Sequence, residues 1–436
     1  MADFSIKALN MTYRVIKPRN LTATVQLPAS KSLSNRALLL NALSHASLSL
    51  LSNVSDCDDT TVMMEALALP PVINIKAAGT AMRFLTAYLS VGNGTYTITG
   101  TERMCHRPIK VLVEALRQLG AHIEYLGEEG FPPLKITGRQ LQGGELTLTG
   151  DISSQYISAL LMIAPMLQKG LALRLTGEII SRPYIDMTLA MMGEHGAEAQ
   201  WTDERTIIVH PVPYRPIPYM IESDWSAASY WYEMVLLSDN EQETATLKGL
   251  FPNSLQGDSK VCELFQELSV QSMFLSQGTD EPKTTLIRRG AMPKHVEWDL
   301  TRTPDLAQTL IVTCALAGIP FVARGLQSLR IKETDRVYAL ATELAKLGVR
   351  LTVKGDSIIE WDGPELQPTG EIPYLKPLPG TAIDTYEDHR MAMAFAPAAL
   401  VLGSIDINNP EVVSKSYPRF WEDLKAVGFN IEILKD

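Results

Sequence analysis

The sequence predicts an α/β protein of two globular halves, and three observations carry that reading. The first is a recurring phrase: a helix-like apolar stripe, a Leu-Gly or similar small break, then a short alternating strand. It reads VEALRQLGAHIEY to Tyr125, LAMMGEHGAEAQW to Trp201, ATELAKLGVRLTV to Val353 and EDLKAVGFNIEIL to Leu434. Weaker copies are CELFQELSVQSMFL to Leu275 and MEALALPPVINI to Ile75. The second is spacing: the breaks Gly120, Gly196, Ser269, Gly348 and Gly428 lie 76, 73, 79 and 80 residues apart. The third is size: 436 residues, 46% hydrophobic and 20% charged, supply enough apolar material for two large cores.

Each part of the unit has a local cause. A glycine after the helical stripe supplies a left-handed C-cap. The residues beyond it alternate apolar and polar, the period of a half-buried strand. A unit of this length exceeds a solenoid repeat and fits two helices and about four strands. Six units suggest two halves of three. The polar segment Asp239–Lys248 is the expected crossing between halves, and a second crossing near Arg19–Thr22 lets the N-terminal strand join the other half. The expected domains are therefore 22–246, and 1–21 with 247–436.

A net charge of −10 argues against a general nucleic-acid or anionic-membrane binder. Cys57, Cys105, Cys262 and Cys314 form no CxxC pair, which argues against a disulfide framework or zinc site and suits a reducing compartment. The seven histidines, His45, His106, His122, His195, His210, His295 and His389, show no metal-ligand spacing. The start MADFSIKALNMTYRV lacks a signal-peptide pattern, and the apolar stretches Leu306–Val322 and Met391–Leu402 are interrupted or too short to span a bilayer. A soluble cytoplasmic protein is expected.

The positive charge gathers at predicted helix starts. Ser30-Lys31-Ser32-Leu33-Ser34-Asn35-Arg36 precedes ALLLNAL, and Gly79-Thr80-Ala81-Met82-Arg83 opens FLTAYL. Arg107-Pro108 and Ser181-Arg182-Pro183 read as proline-started helices, and Asp151-Ile152-Ser153-Ser154-Gln155 as a polar cap. Arg330-Ile331-Lys332-Glu333-Thr334-Asp335-Arg336 reads as one helix opening, with Lys332 and Arg336 as i,i+4 neighbours. Asp388-His389-Arg390 opens a nearly all-apolar helix, and Ser414-Lys415-Ser416 precedes the last one. Free N–H groups beside Lys or Arg make anion sites, and the absence of glycine around Lys31 excludes a P-loop. Singly, each is an ordinary cap or a solvated ion-paired face. Their recurrence at most helix starts of an acidic chain points to a shared anionic ligand. His389 reads as an orienting group and not a catalyst.

The motifs LPASKSLSNRALLL, AGTAMR, HRPI, SSQY, SRPYID, TPD, RIKETDR, EDHRMAMAFA and SKSYP, from about residue 27 to 420, resemble in order those of the 5-enolpyruvylshikimate-3-phosphate synthases. The resemblance implies a two-domain inside-out α/β barrel, each domain three βαβαββ repeats with helix N-termini facing the interdomain cleft. It implies transfer of the carboxyvinyl group of phosphoenolpyruvate to the 5-hydroxyl of shikimate 3-phosphate by addition and elimination, in the shikimate pathway. It implies a monomer using no metal or organic cofactor, no nucleic acid and no membrane. By similarity, the first domain lies mainly on the shikimate 3-phosphate side and the second completes the phosphoenolpyruvate site. Clustered cations would repel and hold the empty cleft open, and substrates would neutralise them.

The same resemblance implies residue roles. Lys31, Ser32, Arg36, Ser153, Ser154, Gln155, Ser181, Asp305, Ser328 and Lys332 are expected on shikimate 3-phosphate. Lys31, Gly79, Arg107, Gln155, Arg336, Arg390 and Lys415 are expected on phosphoenolpyruvate. Asp305 is the expected base on the 5-hydroxyl, with Glu333 and Lys31 serving proton transfer at the methylene carbon. Flanking by Lys332 and Arg336 favours an ionised Glu333. The chain departs from the pattern at Ala77 (commonly Asn), Phe84 (often Pro) and Ser328 (expected Asn), which implies altered affinity for phosphoenolpyruvate or the inhibitor glyphosate. The sister enzymes acting on UDP-N-acetylglucosamine are disfavoured, because Ser32 replaces their Asn and Glu102 their reactive Cys. A catalytically dead scaffold is disfavoured by the presence of Lys31, Asp305 and Glu333.

Overall fold

The computed structural model describes residues 11–275, 282–364, 375–377 and 380–434. The chain forms two compact units: Pro28–Asp224 with Phe251–Ser259, and Met1–Leu27 with Trp225–Leu250 and Lys260–Asp436. We call them the inserted and the outer unit. Each has its own apolar core.

Among the described residues, one sheet topology is used five times. In the inserted unit, Val72–Asn74 runs parallel to Thr95–Thr99, with the helix Gly79–Val91 as the crossover. After the helix Lys110–Gln118, the strands His122–Tyr125 and Leu134–Thr137 return as a hairpin, the second pairing antiparallel with Thr95–Thr99. The strands Gly144–Thr149, Leu171–Thr176, Ala199–Trp201 and Thr206–Val209 repeat this order. In the outer unit so do Thr22–Gln26, Thr244–Lys248, Val270–Leu275 and Lys283–Arg288. So do Val296–Asp299, Phe321–Arg324, Thr352–Lys354 and Ile358–Trp361. The fifth copy closes on the chain start: Ala382–Ile383, Ser404–Asn408 and Asn430–Leu434 take Thr12–Ile16 as their fourth strand. The parallel pair needs a crossover helix and the antiparallel pair only a turn, so the unit's length follows from its topology.

The predicted breaks have the predicted cause. Gly120, Gly196, Ser269, Gly348 and Gly428 all have positive φ, from 69° to 105°. Each stands two residues past a helix ending at Gln118, Glu194, Glu267, Lys346 or Ala426. In four copies the next N–H bonds the carbonyl five residues back, as in Ala121 to Leu116 and Val349 to Leu344, which closes the orphan helix carbonyls. Ser269 holds the left-handed conformation without glycine, and its hydroxyl donates to the Ala291 carbonyl at 2.7 Å. The copy ending at Ile75 differs: its strand Val72–Asn74 opens the following sheet. The sixth unit consists of the helices Lys31–Leu43 and Asp58–Ala66 with the two-residue parallel pair Leu51–Ser52 and Tyr219–Met220.

Both units are inside out. Every residue of the helices Trp225–Leu237 and His389–Phe395 is buried, as is Ala307–Ala317 up to Leu316. In the inserted unit the helices Lys31–Leu43, Gly79–Val91 and Ser154–Ile163 fill the centre. The sheets lie outside and alternate buried with half-exposed residues, as in Thr244–Lys248. Burying each Leu, Phe or Met of a central helix contributes about 1.5–3 kcal/mol. Among the described residues, no helix is long and apolar enough to cross a membrane.

The unit boundaries depart from 22–246. Asp239–Lys248 is no crossing, because Thr244–Lys248 is an inner strand paired with Thr22–Gln26 in one outer-unit sheet. The helix Trp225–Leu237 belongs to the outer core as well. The chain instead passes between units at 27/28, 224/225, 250/251 and 259/260. The polar residues near 239–243 form the turn between that helix and its strand.

Candidate active site

Several of the expected residues stand at helix starts and others in the turns beside them. In the inserted unit Ser30 caps the Lys31–Leu43 helix, accepting from the Leu33 N–H at 3.4 Å. Ser153 caps Ser154–Ile163 in the same way through the Gln155 N–H. Ser181 precedes Arg182–Glu194 in a left-handed conformation, φ 54°, with its side chain not used as a cap. The Lys31 ammonium lies 3.7 Å from Asp59. Burial pushes the adjacent Cys57 thiol up, and Lys31 partly offsets this.

Gly79 is a close-approach glycine. A Cβ there would meet Arg83 Nη1 at 2.6 Å and Arg107 Nη1 at 2.7 Å, so only hydrogen lets both guanidiniums crowd this helix start. Arg83 Nη1 donates to the Gly79 carbonyl at 2.8 Å, and the group lies over the Tyr156 ring at 5.6 Å. Gln155 Nε2 donates to Thr80 Oγ1 at 3.2 Å, which brings Gly79, Arg107 and Gln155 together. The Pro108 reading needs correcting: the helix starts at Lys110 with Ile109 as N-cap, and Pro108 lies outside it, accepting from the Tyr156 hydroxyl.

Arg36 is only 3% exposed, and the partners observed for it are neutral. It donates to Thr188 Oγ1 at 2.7 Å, the Ser32 carbonyl at 3.0 Å, Ser158 Oγ at 3.1 Å and the Tyr184 carbonyl at 3.4 Å. Its guanidinium lies 5.4 Å from the Phe84 ring centre and 6.0 Å from that of Tyr184. Burial pulls its pKa down to about 10. Phe84, a departure from the expected pattern, thus forms one wall of this cation's cage.

The outer unit holds a different cluster. Arg336, 1% exposed, donates to Asp388 Oδ2 at 2.6 Å, Glu333 Oε2 at 2.8 Å and Asp305 Oδ1 at 3.0 Å. Asp305 also meets Lys332 at 3.3 Å and Arg390 at 3.2 Å. Asp388 caps the His389–Phe395 helix through the Arg390 N–H, and Lys415 donates to the Glu387 carbonyl at 2.8 Å. Burial alone would lower the Arg336 pKa, but Asp388, Glu333 and Asp305 outweigh it and raise it. The expected cation repulsion is therefore offset here: Asp305, Glu333 and Asp388 stand among Lys332, Arg336 and Arg390.

KETDR does not open a helix as one piece. The helix starts at Arg336 with Asp335 as N-cap, and Lys332 and Glu333 lie in the turn before it. Lys332 is therefore not a helical i,i+4 neighbour of Arg336; the two meet through Asp305. Ser328, nine-tenths buried, sits in the 3₁₀ turn Gln327–Ile331. His389 is 2% exposed, its Nδ1 4.0 Å from Asp388. Two participants lay outside the expected set. Asp388 was legible only as a cap in Asp-His-Arg, and Arg83 only as a cation four residues after Gly79. Among the described residues, no three His, Cys, Asp or Glu converge as a metal site.

Helix starts carrying guanidiniums, lysines and hydroxyls on an inside-out α/β scaffold define a protein that handles small, multiply charged anions. The chain belongs to the EPSP synthase (3-phosphoshikimate 1-carboxyvinyltransferase) family, whose model matches residues 15–70 and 68–424. A 3-phosphoshikimate 1-carboxyvinyltransferase of Bacteroides fragilis strain YCH46 is 55% identical over 424 residues, 97% of this chain and 99% of its own. One of Shewanella halifaxensis is 36% identical, covering 94% of this chain and 97% of its own. An EPSP synthase structure from Acinetobacter baumannii shares the fold with a TM-score of 0.76 at 22% identity, over 97% of this chain and all of its own.

Proposed function

We propose that this chain transfers the carboxyvinyl group of phosphoenolpyruvate to the 5-hydroxyl of shikimate 3-phosphate and releases inorganic phosphate, a step toward chorismate and the aromatic amino acids. The observation that carries the reading is Asp305, a carboxylate within 3.0–3.3 Å of Lys332, Arg336 and Arg390. Two substrates with two phosphates and two carboxylates require such cations, and the reaction requires a base among them.

Lys31, Ser32, Arg36, Ser153, Ser154, Gln155, Ser181 and Lys332 hold shikimate 3-phosphate, with Ser328 near it. Lys31, Gly79, Arg107, Gln155, Arg336, Arg390 and Lys415 hold phosphoenolpyruvate. Substrate anions take over the guanidiniums that now hold Asp305, which leaves that carboxylate free to accept the proton of the 5-hydroxyl. The oxygen attacks C2 of phosphoenolpyruvate as its methylene carbon is protonated, with Lys31 or Glu333 in the relay. The ketal then loses phosphate as a proton leaves the new methyl group. The enzyme acts as a cytoplasmic monomer with no resident metal or organic cofactor.

The test is phosphate release by the purified protein. Release requires both substrates, and UDP-N-acetylglucosamine does not replace shikimate 3-phosphate. No release with both substrates present overturns the reading. Elution at twice the monomer mass would remove the monomer from it.

A further inference from the structure

The residues just before Asp388 hold an unusual conformation. Tyr386 and Glu387 are consecutive non-glycine residues with φ of 54° and 56°. Side chains disfavour this region, and two such residues in a row persist only where surrounding bonds impose them. This turn leads directly into two proposed anion-site contacts. Asp388, fully buried, holds Arg336 through two bonds, at 2.6 and 3.3 Å. The Glu387 carbonyl accepts from Lys415 Nζ at 2.8 Å.

What imposes the turn is a second carboxylate that touches none of the proposed substrate contacts. Glu343, on the peripheral helix Arg336–Lys346, is 0% exposed. Its Oε1 accepts from the Tyr386 hydroxyl at 2.6 Å and its Oε2 from the Asp384 N–H at 3.0 Å. Lys346 neutralises it at 2.7 Å and also bonds Asp384 at 2.8 Å, and Asn408 fixes the other Asp384 oxygen at 2.8 Å. The Tyr386 ring packs edge-on against Tyr338 of the same helix, centroids 6.5 Å apart. The Glu343 carboxylate thus holds the turn at two points, the Tyr386 hydroxyl and the Asp384 backbone just past the strand Ala382–Ile383. The helix that carries Arg336 at its first position carries the clamp two turns later, so one rigid element sets both partners of the Arg336–Asp388 pair.

We propose that Tyr386 and Glu343 are positioning residues for the anion site, locking the turn that presents Asp388 to Arg336 and the Glu387 carbonyl to Lys415. The inference rests on the proposed reaction for the identity of the anion, phosphoenolpyruvate. Neither residue contacts the ligand. Their effect is transmitted by backbone geometry, because a small displacement of oriented charges costs much of their effect on a bound anion.

The test is kinetic, on the full chain. Tyr386→Phe keeps the ring and deletes the bond to Glu343. The expected result is a KM for phosphoenolpyruvate raised about tenfold, with that for shikimate 3-phosphate within about twofold of wild type. In the Tyr386→Phe/Lys415→Met double variant the two effects combine to less than their product, because both act through one contact. A purely structural role moves both KM values together or neither, and multiplicative effects place Tyr386 outside the Lys415 contact; either result overturns the proposal. If Tyr386→Phe does not fold, Glu343→Gln, which keeps an acceptor oxygen but loses the Lys346 ion pair, is held to the same split with a smaller rise. Wild-type protein without turnover sinks the proposed reaction, whereas wild-type turnover with unaltered variants sinks only this inference.

Discussion

Arg36 in the inserted unit and Arg336 in the outer unit are both buried guanidiniums at helix starts, yet their surroundings differ in kind. Arg336 is surrounded by Asp305, Glu333 and Asp388 and is held charged by them. Arg36 bonds hydroxyls and carbonyls and stacks near aromatic rings. The first arrangement stores its counter-charge in the protein, so a ligand must compete with carboxylates already in place. The second leaves positive charge dehydrated and uncompensated. The lowering of the Arg36 pKa to about 10 by burial corresponds to roughly 3 kcal/mol of unfavourable dehydration in the ligand-free state. A bound anion recovers that cost. The two buried guanidiniums thus differ in what an arriving anion must do: displace carboxylates at Arg336, or meet neutral partners at Arg36.

Four substitutions break or sharpen this contrast. The largest effect belongs to Asp305→Asn, which keeps the shape of the cluster and removes the proposed base; turnover in the phosphate-release assay falls about a thousandfold. Near-normal turnover would reduce the outer cluster to anion binding alone. Next is Asp388→Asn, which strips the buried Arg336 of its bidentate partner and lowers stability by about 3 kcal/mol in urea unfolding. An unchanged midpoint would show that Arg336 does not depend on stored counter-charge.

Arg36→Met has the opposite sign. The ligand-free protein gains about 1–3 kcal/mol, while titration calorimetry shows weakened shikimate 3-phosphate binding. Burial lowers the Arg36 pKa to about 10, below its unfolded value, so between the two the unfolded chain holds a proton that the folded one has lost. Wild-type stability therefore rises with pH in that interval, and the gap to Arg36→Met narrows above pH 10. A destabilised Arg36→Met would mean that its neutral partners compensate the charge fully. The smallest effect is expected from Gly79→Ala. Its methyl group displaces the Arg83 and Arg107 guanidiniums, raises the KM for phosphoenolpyruvate several-fold and leaves the melting temperature nearly unchanged. An unaltered KM would separate Arg107 from that substrate.

The repeat was legible because its punctuation is chemical: a helix that ends in a left-handed residue and turns into a strand asks for glycine, and four of five breaks have one. The helix-start residues were legible because caps and cations sit at fixed offsets from an apolar run. Boundaries were harder. TATLK follows a polar run and looked like part of a linker, yet it is a strand because its partner, Thr22–Gln26, lies more than 200 residues away in sequence. Lys332 and Glu333 looked helical because their spacing to Arg336 suits a helix, while the Asp335 cap starts the helix later. The Glu343 clamp left no local signal: a glutamate in the middle of an amphipathic helix reads as solvated until the turn at Tyr386 is folded against it.

The outer unit has a seam that joins strands far apart in sequence. Thr12–Ile16 lies between Ser404–Asn408 and Asn430–Leu434, with Arg14 paired to Asp406. During synthesis the first strand emerges nearly 400 residues before its neighbours, whereas most of the inserted unit is complete once Asp224 has left the ribosome. Biogenesis is thus ordered by topology: the inserted unit can mature on the nascent chain, while Thr12–Ile16 waits unpaired until Ser404–Asn408 and Asn430–Leu434 are translated. Deleting residues 427–436 leaves Thr12–Ile16 with one bare edge, and a circular permutant opened at the inserted unit would remove the wait altogether.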